Sequence, residues 1–597
     1  MPASRKLRAQ TKRAIPIEIA RADHPGPVPR VRARISWRRN LLLAAGVALL
    51  TISLYSPVWH YPFIDYDDTG YIVTNTRLQN GLSIQTIKWA ATATEQANWH
   101  PLTWISHAAD YRMFGLWAGG HHITSVALHA LNAALLFIIL GWITGAFGRS
   151  LLVAALFAVH PLNVESVAWI AQRKTVLCML LFLLTLAAYA WYARRPSVKR
   201  YSLMALSGVL ALASKPMAIT LPCVLLVLDF WPLGRIQGWS VPSDFIGGRQ
   251  ARLRWLALEK IPLFVFSAAS AIITVVAQRA GGAIAAAEMY PYRVRLANAI
   301  DSYVVYAWKT LWPTRLAVFY PWNPLVMWKV GLAGGVLLAM SWLAWTTRST
   351  RPYLLAGWLW YLGTLVPMIG MVQVGGQARA DRYVYLPMSG ILMMAVWFLS
   401  EAAERAAIDL TMRFGLSATL VAIFALVTFH QLSFWRSDYD LWSHAAKVTS
   451  GNLLAEDNLG VLELRAGRPE EALLHFQNAS KIDPGDALSQ INIGADHQDH
   501  GHFEQAIASY MTAIADTSDP KLRAIAYQNL GVIYHRLGDA EKAMDNFLHV
   551  LQINPQETRA WAAVGALREE SIEKAHVRSP SLESKHSTSE PNHHARE

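Results

Sequence analysis

Eleven long apolar blocks, set apart by short polar joints, constrain this chain more than any other feature. They run roughly 41–58, 122–144, 149–167, 175–193, 201–214, 216–231, 260–278, 326–346, 353–373, 383–400 and 415–435. A straight membrane span needs about 20 apolar residues, so the shorter blocks have soft boundaries. A bilayer leaves backbone polar groups no water to bond, and helices satisfy those groups internally. The expectation is therefore an all-α fold built around a polytopic membrane domain. Composition agrees, with 53% of the 597 residues hydrophobic and 16% charged. A soluble protein carries about a quarter charged residues, so one large soluble globule and a disordered chain are both excluded.

Four regions follow from this patterning: a basic tail (1–39), a membrane domain (40–435), a repeat domain (436–570) and a polar tail read as disordered (571–597). The first tail contributes +9 of the net +13. It sits directly before an apolar block, so it reads as a cytoplasmic anchor. No nucleic-acid motif accompanies it. No small-residue cleavage site follows the first block, which is read as a span. Arg194, Arg195, Lys199 and Arg200 mark a second cytoplasmic joint. Arg235, Arg249, Arg252, Arg254 and Lys260 mark a third, and Arg348 with Arg351 a fourth. Eleven spans then put the repeat domain on the non-cytoplasmic side, together with the loop 59–121. A twelfth block, 296–312, is interrupted by Asp301 and Lys309 and reads as re-entrant or interfacial.

Leu459-Gly460, Ile493-Gly494 and Leu530-Gly531 recur near the 34-residue tetratricopeptide period. Ala472, Phe476 and Pro484, then Ala506 and Tyr510, then Ala543, Phe547 and Pro555 complete the units. Such solenoids offer a concave peptide-binding surface. Tyr439–Val448 reads as a leading half repeat that couples the solenoid to the last span.

The first loop begins FIDYDDTGYIVTN (63–75). Two adjacent carboxylates beside apolar surface are expensive to ionise together, which suits a general base. On the residues alone, a solvated turn over Asp68-Thr69-Gly70 is the plainer reading. His100, His121, His122, His129 and His160 lack the spacing of a metal set. They read as residues that orient an acceptor, join helices or sit at the interface, and Glu165 and Asp110 share that ambiguity. Trp59, Trp99, Trp104, Trp312 and Trp322 read as an interfacial aromatic belt. Segments 84–94 and 103–117 read as amphipathic roofs of the site. Cys178 and Cys223 provide no metal framework and read as buried thiols.

Several segments together resemble one family. These are NWHPLTWISH (98–107), GGHHITSVALHALNA (119–133), HPLNVESVAWIAQRK (160–174), SKPMAITLPCVLLVLDFWP (214–232), LWPTRLAVFYPW (311–322) and GGQARADRYVYLP (375–387). With the repeats behind them, they resemble the transmembrane and tetratricopeptide-repeat O-mannosyltransferases and their bacterial relatives, within the GT-C superfamily. The likeness covers about 55–560. It implies inverting transfer of a sugar, mannose or another hexose, from a polyprenyl-phosphate donor to a hydroxyl of a protein acceptor. It places Asp67 as the base and Asp68 as partner, with the two roles exchangeable. A phosphate leaving group calls for fixed cations, for which Arg173, Lys174, Arg379, Arg382 and Lys215 are candidates. His100, His160 and Glu165 are candidates for orienting the acceptor. The likeness implies no metal cofactor, with a divalent ion at the acidic residues left open. It implies a bacterial inner membrane with the repeats periplasmic. The competing readings are a non-catalytic membrane scaffold, a transporter, and a related enzyme acting on a lipid or glycan.

Overall fold

The computed structural model describes residues 36–238, 248–282 and 290–578. Most of the basic tail and of the polar C-terminal tail lies outside these residues. Every apolar block becomes helix. Six helices are long and apolar enough to cross a membrane: Trp37–His60, Ala118–Thr144, Ile170–Arg194, Ile261–Ala280, Met327–Thr346 and Leu410–Trp435. A bent pair, Phe147–Ala158 with Pro161–Ala168, makes a seventh if counted as one span. The chain is a multi-pass, all-helical membrane protein. Four expected spans fall short of that measure. Val198–Ser214 has 17 residues and Pro352–Leu365 has 14. At 1.5 Å per residue these reach about 26 and 21 Å, against a hydrocarbon core of about 30 Å. Pro216–Phe230 is also short. Met388–Arg405 ends in Glu401, Glu404 and Arg405. The interrupted block is an unbroken helix, Tyr292–Leu311. Its charges are paired, Asp301 with Arg379 at 2.9 Å and Lys309 with Asp381 at 3.2 Å.

The helices gather one set of ends. The first helix leaves here at Tyr55, Ala118–Thr144 begins here, Arg173–Arg194 begins here and Val198–Ser214 finishes here. The loop helices Ile84–Thr92 and Pro101–Phe114 pack onto this end. Thr103 Oγ1 donates to the Ser214 carbonyl at 2.9 Å, which fixes the loop to it. Trp104 is fully buried there, so it is core and not part of an aromatic belt, whereas Trp59 and Trp312 are exposed.

The opposite end holds a buried knot of charge. Arg235 meets Glu259 at 2.6 Å and Asp229 at 3.1 Å, and Lys260 meets Asp229 at 2.6 Å and Glu259 at 2.7 Å. Two of the five cations read as a topology signal are thus neutralised by internal partners. Both cysteines are free thiols, Cys178 buried and Cys223 exposed.

The repeat domain stacks helix pairs from Leu453–Arg465 to Thr558–Arg578. The glycine of each of three helix pairs faces an aromatic ring. A Cβ added to Gly460 would lie 2.7 Å from Phe476, one on Gly494 2.8 Å from Tyr510, and one on Gly531 2.7 Å from Phe547. Such overpacking costs about 1–3 kcal/mol. Gly531→Ala is expected to bring earlier proteolytic cleavage within 520–553 on heating, with cleavage of the membrane domain unchanged. The later repeats have their own cores, around Tyr510 and around Phe547. Leu441, Trp442, Ala445, Ala455 and Leu459 instead join the core of the membrane domain.

Candidate active site

Asp68 is not on a solvated turn. It is fully buried. Its Oδ2 accepts the Ile64 N–H at 3.1 Å, closing a turn within the loop. Its Oδ1 accepts the Ala171 N–H at 2.7 Å, tying the loop to the turn that precedes Arg173. Burial pushes its pKa up to about 7; the two backbone N–H groups work against that shift, and Asp67 adds to it. Asp67 is half-buried, and its carboxylate accepts no hydrogen bond from the described residues. The two carboxylates thus differ in kind: Asp68 holds the loop, and Asp67 is free to meet a ligand.

Lys174 stands opposite them, and Lys215 lies near Lys174. Lys174 Nζ donates to the Tyr71 hydroxyl at 2.8 Å and lies 4.5 Å from the centre of that ring. It is within electrostatic reach of Asp67, Asp68 and Arg382. Lys215 Nζ donates to Thr175 Oγ1 at 2.8 Å and is within reach of Lys174, Arg382 and Glu165. Both side chains are buried. Their hydrogen-bond partners are neutral hydroxyls, and among the described residues neither forms a salt bridge. A desolvated ammonium without a counter-charge is costly unless an anion completes it. Arg382 is the third cation. Its guanidinium bonds Glu165, its N–H donates to Glu165 Oε2 at 2.7 Å, and it stacks over Trp169 at 5.2 Å.

Other candidates are committed elsewhere. Arg173 donates to Asp110 at 2.7 Å, Ser125 at 2.9 Å, Ser106 at 3.1 Å and the His121 carbonyl at 2.6 Å. Four of its five N–H donors are engaged, which argues against a phosphate role. Arg379 turns to Asp301 and pairs with Tyr320 in a short bridge, apart from Asp67. His160 has both ring nitrogens engaged, with the Thr310 carbonyl at 2.9 Å and the Leu162 N–H at 3.2 Å, so it braces the helix bend and does not face an acceptor. Glu165 is bound to Arg382 and positions it. His129 joins helices through Tyr385 at 2.7 Å. Removing the partner of a buried ion pair costs about 3–5 kcal/mol. Asp110→Ala is therefore expected to cut the yield of folded protein sharply, as read by size-exclusion recovery in detergent.

His100 does face the site. It stacks on Tyr71 at 5.7 Å and meets Trp104 at a tilt at 4.9 Å, and among the described residues both of its buried ring nitrogens are without a hydrogen-bond partner. Burial holds its pKa well below the ordinary value, and Lys174 and Lys215 add to that, so it is a neutral donor or acceptor. Among the described residues, no group of three or more His, Cys, Asp or Glu is placed to hold a metal ion. Sequence reasoning missed Tyr71, Tyr66 and Trp169. Tyr66 and Tyr71 lie within the quoted loop, but nothing local reveals that Tyr71 receives Lys174 from 103 residues away.

A tetratricopeptide repeat model matches residues 524–557. The chain is similar to the protein O-mannosyl-transferase Tmtc1 of Drosophila melanogaster, 27% identical over 37% of this chain and 26% of that protein. It is similar to the protein O-mannosyl-transferase TMTC3 of Mus musculus, 22% identical over 78% of this chain and 54% of that protein. It is similar to the protein O-mannosyl-transferase F38B6.6 of Caenorhabditis elegans, 23% identical over 76% of this chain and 64% of that protein. The chain spans about half the length of the curated relatives it matches.

Proposed function

We propose that this chain is a membrane glycosyltransferase of the GT-C type. It moves a sugar, mannose or another hexose, from a polyprenyl-phosphate donor to a hydroxyl of a protein acceptor, with inversion. One observation carries the reading: two buried lysines whose hydrogen-bond partners are neutral hydroxyls lie near Arg382, and one of them, Lys174, is within electrostatic reach of Asp67, whose carboxylate accepts no hydrogen bond from the described residues. The likeness to named protein O-mannosyl-transferases supports it.

The residues divide the chemistry between them. A hydroxyl is a weak nucleophile, so Asp67 takes its proton as the oxygen attacks the anomeric carbon. The bond from that carbon to the phosphate oxygen breaks, and its electron pair leaves with the lipid phosphate. Lys174, Lys215 and Arg382 receive the phosphate charge. Attack and departure occur on opposite faces of the sugar carbon, which inverts it. His100 orients substrate as a neutral imidazole. Catalysis sits at the end of the helices where a lipid-linked donor arrives in the bilayer, on the non-cytoplasmic face of a bacterial inner membrane. The repeats, on that same side, present the polypeptide.

The test is transfer of labelled hexose from synthetic polyprenyl phosphates to serine- and threonine-containing peptides by the purified protein in lipid nanodiscs. Label in the peptide, absent when the corresponding nucleotide sugar is the donor, is the expected result. No transfer from any lipid-linked hexose, or equal transfer from the nucleotide sugar, sinks the proposal.

A further inference from the structure

We propose that the first two helices of the repeat domain belong to the catalytic module, and that Asp438 and Trp442 are positioning residues for Asp67. The proposal rests on the glycosyltransferase reading for what Asp67 does, but its structural half can be tested alone.

Among the described residues the Asp67 carboxylate has no hydrogen-bond partner, so its position is set by its neighbours in the chain. On one side Asp68 closes a turn on Ile64 and is pinned to the membrane domain through Ala171. On the other side the pins come from the repeat domain. The Asp65 N–H donates to Asp438 Oδ1 at 2.8 Å. Arg465 meets the Asp65 carboxylate at 2.9 Å. The Tyr66 ring stacks on Trp169 at 5.2 Å and takes the edge of Trp442 at 5.2 Å. Asp67 is therefore suspended between two anchors, and one of them lies on Asp438–Val448 and Leu453–Arg465.

The same segment reaches the cationic side. His444 Nε2 bonds the Leu316 carbonyl at 2.9 Å, and Asn452 Nδ2 donates to the Phe319 carbonyl at 3.4 Å. The loop they hold carries Tyr320, whose hydroxyl donates to Asp381 at 2.7 Å, next to Arg382. Trp169, beneath Tyr66, carries the Arg382 guanidinium on its other contact. Trp442 is fully buried, and its core is that of the membrane domain, whereas the later repeats bury their rings among themselves. The division between catalytic module and solenoid thus falls inside the repeats, after the first helices.

Misplacing a catalytic group by about 1 Å can cost about a hundredfold in rate. Trp442→Ala and Asp438→Ala are expected to lower kcat by roughly ten- to a hundredfold, with the donor KM within about twofold of wild type. Trp442→Phe keeps a ring against Tyr66, and Asp438→Asn keeps the Oδ1 acceptor, so both should recover most of the rate. Hydrogen exchange of the segment 64–73, measured on the full-length protein in nanodiscs, should quicken in both alanine variants. It should not change in Phe547→Ala, in the last repeat. Unchanged exchange in 64–73 overturns the proposal whatever the activity. Faster exchange with a wild-type kcat overturns it too. The exchange measurement needs no donor, so its failure is distinct from a failure to find transfer.

Discussion

Asp67→Asn is expected to lower sugar transfer by about a hundred- to ten-thousandfold, the range a positioned general base contributes. The substitution should leave folding untouched. The Asp67 carboxylate accepts no hydrogen bond from the described residues, and amide and carboxylate have the same shape. Loss should fall on kcat, because the proton moves only during attack. Asp68→Asn is the contrasting variant. Asp68 takes two backbone N–H groups, one on each oxygen. An amide has one acceptor, so one N–H would face a donor, at about 1–3 kcal/mol. That variant should lose transfer together with thermal stability. The check is single-turnover transfer alongside thermal unfolding for both proteins. Full activity in Asp67→Asn would remove Asp67 from the chemistry.

Lys174→Met and Lys215→Met should both weaken donor binding, and Lys215→Met should raise stability as well, a pairing that a structural lysine would not produce. Each ammonium is buried and bonds only a hydroxyl, Tyr71 or Thr175. An apolar chain of similar length removes a desolvated charge from the empty site. The same change deletes a charge-assisted bond to phosphate, worth about 1.5–3 kcal/mol. At about 1.4 kcal/mol per decade, each variant should raise the donor KM roughly ten- to a hundredfold. Donor-concentration series and thermal unfolding in the absence of donor read the two effects separately. A lower unfolding temperature with unchanged donor KM would make these lysines structural.

Local pattern carried much of this protein. Helices formed wherever an apolar block stood, and the Leu-Gly pairs at 459–460 and 530–531 sat against Phe476 and Phe547 as tetratricopeptide spacing demands. The short blocks at 201–214 and 353–373 fold as helices of 17 and 14 residues, and pattern alone does not set such lengths. Hydropathy registers burial equally in lipid and in protein, and Tyr361 and Leu365 are buried by protein.

Charged residues were less legible. Arg173 and Lys174 are neighbours, so the helix turns them about 100° apart. One is held by Asp110, Ser125 and Ser106, and the other meets Tyr71 and Asp67. Arg379 and Arg382 divide likewise between Asp301 and Glu165. The half repeat at 439–448 was readable as a link to the last span, but its hold on Tyr66 was not.

The sequence by itself determined an all-helical membrane domain, a tetratricopeptide array and a loop rich in carboxylates, because apolar periodicity and repeat spacing act within a few turns of chain. Only the tertiary structure decided which cations are neutralised and which stand open, and which carboxylate is pinned and which is free. Those outcomes turn on partners such as Ala171, 103 residues from Asp68, and Glu165, 217 residues from Arg382, and the cost of a buried charge is set by what packs against it, not by what precedes it in the chain.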